Sequence, residues 1–185
     1  MVFSLDLKTK IRRIPEFKGV VFWDITPLLK DKNAFRECVK RIADHYRNKD
    51  VDVVVSNEAR GFIIGAAVAY ELGVGFVPIR KKGKLPSKAV CLTYDKEYEP
   101  DTIEIHEDAI EHGQKVLLID DLLATGGTIK ANVNLVEKLG GKIAGVGFLI
   151  ELEYLHGRKG IGNKYDVYSL INLKSTTEPV PKSHA

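Results

Sequence analysis

Two adjacent carboxylates and a short run of small residues lie in the second half of the chain. Asp120 and Asp121 directly follow the apolar run 116–119, and a small-residue loop comes soon after, consisting of Ala124, Thr125, Gly126, Gly127 and Thr128. Glycines allow consecutive backbone N–H groups to turn toward one point, and threonine hydroxyls can donate to phosphate oxygens. A helix that begins at this loop would add partial positive charge. The pattern therefore predicts an anion cradle, and the two carboxylates suit a ligand that also carries vicinal hydroxyls or a magnesium ion.

Two common nucleotide-binding patterns do not occur in the sequence. There is no G-x-x-x-x-G-K-[S/T] motif, and no G-x-G-x-x-G follows a predicted strand. Gly126 and Gly127 by themselves would also fit an ordinary turn between a strand and a helix. The prediction of a sugar phosphate site therefore depends on the acids and hydroxyls that accompany the two glycines.

Basic residues form two further candidate anion sites. Arg60 follows Glu58 and Ala59 in a loop after a predicted strand, and the helix that follows could present its N–H groups to the same anion. The second group has four basic residues within five positions, namely Arg80, Lys81, Lys82 and Lys84. Either group could instead be a solvated surface feature. Nucleic-acid binding is less favoured, because no aromatic residue interleaves with the second group to stack bases.

Composition limits the class of protein. The chain has 185 residues, of which 44% are hydrophobic and 29% charged, as expected of one domain with a sizeable core. The net charge of +3 is too balanced to imply a nucleic-acid or membrane partner. Residues 1–15 lack the continuous apolar segment of a signal peptide, and the longest apolar run, 143–150, is far shorter than the about 20 residues of a membrane helix. Cys38 and Cys91 lie outside any C-x-x-C pattern, which is typical of reduced thiols in a cytoplasmic protein.

Strands and helices must position these residues, and the apolar periodicity alternates between the two. Strands are predicted at 51–55, 76–80, 89–94, 103–106, 116–119, 143–150 and 165–170. Helices are predicted at 5–14, 32–48, from the Arg60 loop to about 72, and at 128–139. Residues 16–26 are predicted to be irregular and the tail from Lys174 disordered. This alternation predicts an α/β fold with a mostly parallel, doubly wound sheet, whose ligand lies at the carboxyl ends of the strands.

Taken as a unit, residues 116–128 resemble the phosphoribosyl-diphosphate (PRPP) site of the type I phosphoribosyltransferases. Within that family the chain looks most like the adenine-specific branch. The likeness covers roughly residues 5–170, nearly the whole chain, and is carried by the segments 19–29, 58–62, 80–86, 97–98, 103–106 and 151–158. The resemblance implies the type I phosphoribosyltransferase fold with a small N-terminal hood over the site.

The resemblance also implies a role for each candidate residue. Asp120 and Asp121 would hold the ribose hydroxyls, and the loop from Ala124 to Thr128 the 5′-phosphate. Pyrophosphate would be bound by Glu58, Ala59, Arg60, Arg80, Lys81 and Lys84, with a non-proline cis peptide between the first two. The adenine ring would lie between Phe22 and Leu152, its edge read by the backbone near Val21. Glu97 would be the catalytic acid/base, covered by Tyr98 in a loop that excludes water.

The activity implied by the resemblance is purine salvage, in which adenine and PRPP give AMP and pyrophosphate. Magnesium would be held mainly by substrate oxygens rather than by a protein metal site. A homodimer is implied as well, since in the family part of the 80–84 segment reaches the neighbouring subunit. Trp23 stands where the family usually has a basic residue, and we expect it to serve as apolar cover without contacting phosphate.

Two alternatives remain open, and the domain limits follow from the resemblance. A hypoxanthine- or guanine-specific enzyme would share most of these motifs. A PRPP-sensing regulator without catalysis would need a DNA-binding module, and no convincing helix-turn-helix precedes the first core strand. We expect a single domain over 1–185, with a hood at about 1–30 plus the segment near 151–158, a core at about 31–170 and a tail at 171–185.

Overall fold

A computed structural model describes residues 5–95 and 100–179. Its strands are β1 (Arg12–Phe17), β2 (Val20–Asp24), β3 (Val53–Asn57), β4 (Gly75–Lys81), β5 (Ala89–Asp95), β6 (Pro100–His106), β7 (Lys115–Leu123), β8 (Lys142–Leu152) and β9 (Val167–Leu173). Its helices are α1 (Thr26–Lys30), α2 (Lys32–Tyr46), α3 (Arg60–Leu72), α4 (Gly127–Lys138) and α5 (Arg158–Ile161), and short 3₁₀ helices span Leu7–Lys10 and Glu153–Leu155. None of the helices in these ranges is long and apolar enough to cross a membrane.

Within the described residues, seven strands form one sheet in the order β5-β6-β4-β3-β7-β8-β9. The pairs from β4 through β3, β7 and β8 to β9 are parallel, whereas β6 pairs with both of its neighbours in antiparallel fashion. The expected α/β class with a mostly parallel sheet is therefore confirmed. The antiparallel strand lies near one edge, as is common in large mixed sheets.

Strand β7 lies inside the sheet and separates two apolar layers. Leu117 and Ile119 point to the layer covered by α2 and α3, while Val116 and Leu118 point to the layer covered by α4. All four side chains are at most 1% exposed. Burial on both faces explains why this strand is a continuous apolar run rather than an alternating one. The same core holds the end of β7 rigidly, and the two acids and the small-residue loop are attached to that end.

The N-terminal segment differs from its prediction. Instead of a helix over 5–14, the chain forms the short 3₁₀ helix Leu7–Lys10 and then an antiparallel hairpin of β1 and β2. The two-residue turn between Phe17 and Val20 has positive φ at both Lys18 and Gly19, which matches the twist of a tight hairpin. Pro15 is tolerated because the described hairpin has two strands and therefore only edge strands. The predictions of a helix at 5–14 and of irregular structure at 16–26 were therefore wrong.

Three element ends also differ from their predictions. Strand β7 continues through both acids to Leu123, so the carboxylates lie within the strand and not after it. Strand β9 runs to Leu173, which is fully buried although it was expected to be part of the tail. The next residues were predicted to be disordered, yet those up to 179 are described, and Arg13 Nε donates to Thr176 O at 2.5 Å. The start of the tail therefore contacts the β1–β2 hairpin.

Candidate active site

The small-residue loop joins β7 to α4 and forms a shallow cradle. Gly126 is the N-cap of α4 and has φ of 89°, a left-handed conformation that favours glycine. An added Cβ on Gly126 would lie 2.4 Å from the carbonyl oxygen of Gly157, so a side chain does not fit there. A cavity of about 80 Å³ lies over the loop and is lined by Asp120 and residues 122–129. The predicted loop residues are therefore together at the N-terminus of a 12-residue helix, where an anion is favoured.

One hydroxyl of the cradle is tied to a neighbouring strand. Tyr94 Oη lies 3.2 Å from Thr128 Oγ1, so β5 contacts the start of α4. Asp95 and Pro100 are the last pair of the β5–β6 ladder, next to this contact. Glu97 and Tyr98, the predicted catalytic pair, belong to the segment between those strand ends and lie outside the described residues. Their roles remain predictions.

The two acids are almost completely buried. Asp120 is 9% and Asp121 7% exposed, and the backbone N–H of Asp121 donates to Asp120 Oδ1 at 2.9 Å. Burial raises the pKa of Asp120 well above its ordinary value, and the neighbouring Asp121 raises it further. Burial also raises the pKa of Asp121, which the guanidinium of Arg60 partly offsets. Burial therefore makes ionisation of the pair more costly than ionisation of two exposed carboxylates, and Arg60 supplies compensating positive charge.

Arg60 connects the acid pair to the hairpin. Its Nη2 lies 2.7 Å from Asp121 Oδ2, and Nη1 donates to the carbonyl oxygen of Trp23 at 3.4 Å. The guanidinium carbon also lies 4.9 Å from the centre of the Phe22 ring, within the range of a cation–π contact. The arginine that we assigned to pyrophosphate therefore contacts both the predicted ribose site and the predicted base site in this structure.

The first turn of α3 packs closely on the same acids. An added Cβ on Gly61 would lie 2.6 Å from Asp120 Oδ1, closer than real Cβ atoms approach an oxygen. Glycine at this position therefore lets the helix end approach the carboxylate. The loop before α3 contains the expected cis peptide between Glu58 and Ala59. Sequence reasoning identified this loop but did not assign a role to Gly61. Its position directly after Arg60, at the start of a helix next to a predicted anion site, was the available indication that a small residue is needed there.

A larger, mostly apolar cavity of about 360 Å³ lies under the β1–β2 hairpin. Phe22, Val21 and Leu152, which were predicted to surround a purine, all line it. Trp23 lines it as well and is 2% exposed, so its indole is part of the apolar core, as expected of a cover residue. The remaining lining residues are Val20, Arg60, Leu122, Ala124, Tyr154, Leu155 and Thr176. Mostly apolar walls with a few polar groups suit a heteroaromatic ring.

The basic segment at the end of β4 is divided between two environments. Arg80 Nε donates to Glu58 Oε2 at 2.8 Å, which places this arginine beside the cis-peptide loop of its own chain. Lys81 and Lys84, by contrast, are exposed. Of the predicted pyrophosphate residues, the structure therefore brings Glu58, Ala59, Arg60 and Arg80 together, while the two lysines lie on the outer surface of the segment.

Glu104 holds this basic segment in place and was not predicted to do so. It is 5% exposed, and its Oε1 accepts hydrogen bonds from the backbone N–H groups of Lys84 and Leu85, both at 2.9 Å. Burial by itself raises the pKa of Glu104, but the backbone donors outweigh this effect and lower it below its ordinary value. In the sequence, this role is indicated by a glutamate between two isoleucines of a strand, because a buried carboxylate needs hydrogen-bond partners.

The described residues contain no group of three or more His, Cys, Asp or Glu side chains that could hold a metal ion. The acid pair lies beside the phosphate loop, and Asp120 lines the cavity over that loop. Magnesium keeps near-octahedral geometry and usually takes several ligands from water and substrate phosphates. The residues present therefore fit a magnesium ion carried by a diphosphate substrate and contacted by the protein at few points.

The sequence profile of the phosphoribosyl transferase domain matches residues 25–181 of the chain. The chain belongs to the phosphoribosyl transferase family. Among curated members, the adenine phosphoribosyltransferase of Thermotoga neapolitana is 56% identical over 169 residues, covering 90% of this chain and 99% of that protein. The enzyme of the same name from Thermotoga maritima is 55% identical over 172 residues, with 92% and 99% covered.

Solved structures of phosphoribosyl transferases agree with this assignment. The crystal structure of adenine phosphoribosyltransferase from Thermoanaerobacter pseudethanolicus matches with a TM-score of 0.88 at 49% identity, covering 91% of this chain and 98% of that one. The enzyme from Giardia lamblia, solved with 9-deazaadenine, matches with a TM-score of 0.88 at 38% identity, covering 95% and 100%. The type I phosphoribosyltransferase fold predicted from the motifs is thereby confirmed.

Proposed function

We propose that this protein transfers the 5-phosphoribosyl group from PRPP to adenine, giving AMP and pyrophosphate. One observation carries the proposal: Leu122 and Ala124 line both the phosphate cradle and the purine-sized cavity. The two cavities are therefore adjacent, with the acid pair at the end of the strand that leads to them. A ligand with a 5′-phosphate at one end, a ribose in the middle and a base at the other end matches this order of sites. The relatives at more than 50% identity carry the name of the adenine enzyme.

The sugar and its phosphate account for the polar half of the site. The loop from Ala124 to Thr128 binds the 5′-phosphate through backbone N–H groups and threonine hydroxyls. Asp120 and Asp121 accept hydrogen bonds from the ribose 2′- and 3′-hydroxyls. Their buried position makes these contacts stronger than equivalent bonds in water. As the bond from C1′ to the pyrophosphate oxygen breaks, the ribose gains positive charge, which the same nearby carboxylates stabilise.

The leaving group and the base account for the remaining residues. Pyrophosphate departs toward the cis-peptide loop of Glu58 and Ala59, where Arg60 and Arg80 supply positive charge from the same subunit and the segment with Lys81 and Lys84 supplies it from a neighbouring subunit. The bond from C1′ to the adenine nitrogen forms while the ring lies between Phe22 and Leu152. The proton that the base loses passes to Glu97, and Tyr98 covers that carboxylate. A loop over the reacting atoms excludes water, which would otherwise hydrolyse PRPP.

Magnesium is the proposed cofactor. When bound, it neutralises the charge of the diphosphate and makes it a better leaving group. The buried acid pair is the protein group best suited to contact it or its waters. Arg60 lies 2.7 Å from Asp121 and offsets part of the negative charge of that carboxylate. The protein therefore supplies some of the positive charge near the acid pair, in addition to that of the magnesium ion.

The remaining parts of the proposal concern the assembly and its location. We propose a homodimer, because Lys81 and Lys84 are exposed and the family resemblance places part of their segment at the site of a neighbouring subunit. Exposed lysines at this position are suited to an anion bound by a neighbouring subunit. Two cysteines without a C-x-x-C pattern, one of them buried, are consistent with a reducing compartment, and we propose the cytoplasm.

The nearest rival substrate is a 6-oxopurine such as hypoxanthine or guanine. The test incubates the protein with PRPP, magnesium and each purine base in turn and identifies the nucleotide by mass. We expect AMP from adenine and at least about a hundredfold lower kcat/KM for the 6-oxopurines, since a site built for one hydrogen-bond pattern leaves groups unpaired with the other. Equal turnover of hypoxanthine would refute adenine specificity.

A PRPP-sensing regulator is the rival from another class of protein. It would bind PRPP but form no nucleotide with any base. Base binding can be followed independently of turnover, because the chain has one tryptophan and Trp23 lines the proposed purine cavity. Quenching of its fluorescence by adenine, together with AMP formation, supports the enzyme. PRPP binding without AMP formation or quenching would favour the regulator.

A further inference from the structure

Glu151 and Arg158 form an ion pair at the base of a short loop, in which the glutamate is buried and the arginine is half-exposed. Arg158 donates from Nε to Glu151 Oε1 at 2.7 Å and from Nη2 to Glu151 Oε2 at 2.6 Å, so the contact is bidentate. Ser169 also donates to Glu151 Oε2 at 2.7 Å, and Arg158 Nη1 donates to the carbonyl oxygen of Val167 at 2.9 Å. The glutamate side chain is 6% exposed. The pair therefore fixes the end of β8 to the start of α5 and both of them to β9.

The loop that this pair closes contacts both halves of the site. At one end Leu152 directly follows Glu151, and Leu152, Tyr154 and Leu155 line the purine cavity. At the other end Gly157 directly precedes Arg158 and lies against the phosphate loop. An added Cβ on Gly157 would be 2.3 Å from the carbonyl oxygen of Ala124, which leaves no room for a side chain. One six-residue segment, 152–157, therefore supports the base site and the phosphate site together.

We propose that the Glu151–Arg158 pair is a positioning device that sets the distance and orientation between the base site and the 5′-phosphate site. This inference rests on the proposed function and deepens it. A bidentate contact between a planar guanidinium and a carboxylate fixes direction as well as distance, which a single hydrogen bond does not. With both ends of the segment held, Leu152 cannot shift without moving Gly157. The attacking base nitrogen and C1′ of a phosphate-anchored ribose are thereby held within reacting distance, and misplacement by 1 Å can cost about a hundredfold in rate.

The charge state of Glu151 is compatible with this role. Burial by itself raises the pKa of Glu151, but the hydrogen bonds from Arg158 and Ser169 outweigh burial and lower the pKa below its ordinary value. Arg158 is not part of either cavity lining, and it therefore acts through the segment and not on the substrate. We accordingly class both residues as positioning residues.

The test compares ligands that fill the two sites separately with one that fills them together. Dissociation constants of adenine, ribose 5-phosphate and AMP are measured by calorimetry for the wild-type protein and for Arg158→Lys, which keeps the charge but loses the bidentate fork. The quantity of interest is the product of the adenine and ribose 5-phosphate constants divided by the AMP constant. We expect this ratio to fall about tenfold or more in Arg158→Lys, with AMP binding weakened and the two fragment constants nearly unchanged, because joined fragments benefit only where the sites are correctly spaced.

A merely structural role gives a different result. In that case the melting temperature falls while the ratio of constants stays at its wild-type value, and this outcome overturns the inference. Arg47→Lys is the matched control, since the side chains of Arg47 and Arg158 are both 46% exposed, but the carboxylates that pair with Arg47, on Asp44 and Glu71, are half-exposed whereas that of Glu151 is buried. Ser169→Ala removes one hydrogen bond to Glu151 and should lower the ratio by a smaller factor, so the inference is tested even if Arg158→Lys does not fold. A wild-type protein that binds AMP no better than adenine would contradict the proposed function, and the inference with it.

Discussion

Asp120 and Asp121 are carboxylates that the fold buries among apolar strands, and their proposed role follows from that environment. Burial raises the pKa of both, and Arg60 supplies the nearest compensating charge. Ribose hydroxyl groups can donate hydrogen bonds to these buried carboxylates without adding charge to the site. At the scale of single residues, the site therefore favours a neutral, hydrogen-bonding sugar ring beside an anionic phosphate cradle.

Asp120→Asn combined with Asp121→Asn should raise the KM for PRPP strongly and leave the KM for adenine nearly unchanged, because only the sugar contacts these carboxylates. A charge-assisted hydrogen bond contributes about 1.5–3 kcal/mol, so the loss of two is measurable in initial rates. The melting temperature is measured alongside, because Asp121→Asn also removes the carboxylate that pairs with Arg60 at 2.7 Å. The exposed Asp108→Asn serves as the control. Unchanged PRPP kinetics in the double variant would contradict the assignment.

Glu97 is the proposed acceptor of the proton that adenine loses. Glu97→Gln keeps the size of the side chain and removes the base, so kcat should fall by about 10²–10⁴-fold while PRPP binding changes little. Stopped-flow or steady-state rates measure the first quantity and calorimetry the second. Glu107→Gln, which changes an exposed glutamate paired loosely with Lys88 at 3.9 Å, should leave both unchanged. Near-normal turnover in Glu97→Gln would assign the proton to solvent or to another group.

Element ends supply most of the site. The ends of β3, β4 and β7 and the first turns of α3 and α4 carry the predicted polar residues, as expected at the carboxyl edge of a parallel sheet. The antiparallel strand β6 contributes differently, through Glu104. Its carboxylate holds the backbone of the segment that follows β4, at Lys84 and Leu85. The segment that carries the pyrophosphate lysines is therefore held by an element with no predicted substrate contact.

Glu104→Gln should loosen that segment, raise the KM for PRPP and lower stability in a pH-dependent way. The pKa of Glu104 is depressed in the folded state, so its stabilising contribution is present above the ordinary carboxyl pKa of 4.5 and is lost as pH falls through the depressed value. The free energy of unfolding of the wild type should therefore exceed that of the variant at neutral pH, and the two should converge in acid. Urea unfolding across this pH range measures the difference. A gap of constant size at every pH would contradict the charge-based explanation.

At the scale of the whole molecule, the proposed dimer places lysines of one subunit at the site of the other. Two impaired variants can test this arrangement by complementation. Lys81→Ala with Lys84→Ala, and Asp120→Asn with Asp121→Asn, are each assayed alone and after mixing and refolding together. If the lysines act across the interface, one site of each hybrid dimer has no altered residue, and activity should return to about a quarter of the wild-type value for random pairing of equal amounts.

The same experiment has a clear negative outcome. If the lysines serve the site of their own subunit, every site in the hybrid carries one of the two defects and mixing restores nothing. Sedimentation of the wild-type protein should give about twice the chain mass of 20.6 kDa, as a dimer requires. A mass of one chain under assay conditions would exclude this arrangement.

Sequence reasoning was most successful where chemistry restricts residue type. The loop from Ala124 to Thr128, the acid pair and the Glu58–Ala59 loop each combine residues that few other roles require, so their positions can be predicted from the sequence. It failed for the N-terminal segment, because residues 5–14 fit a helical period while the turn at Lys18 and Gly19 and the packing of Trp23 favour a hairpin. Pairing between β1 and β2 outweighed the local helical periodicity of the apolar residues. That periodicity contains no information about which strand pairs with which.

The sequence by itself determined the α/β class and the family resemblance and located the loop from Ala124 to Thr128, because these depend on residue types close together in the chain. The tertiary structure decided which distant residues meet. It brought Arg60 onto Asp121 and Phe22, Glu104 under the basic segment, and the Glu151–Arg158 loop between the two cavities. These contacts join residues on different strands and helices, and their geometry arises from the packing of the sheet layers, since local propensity carries no information about it.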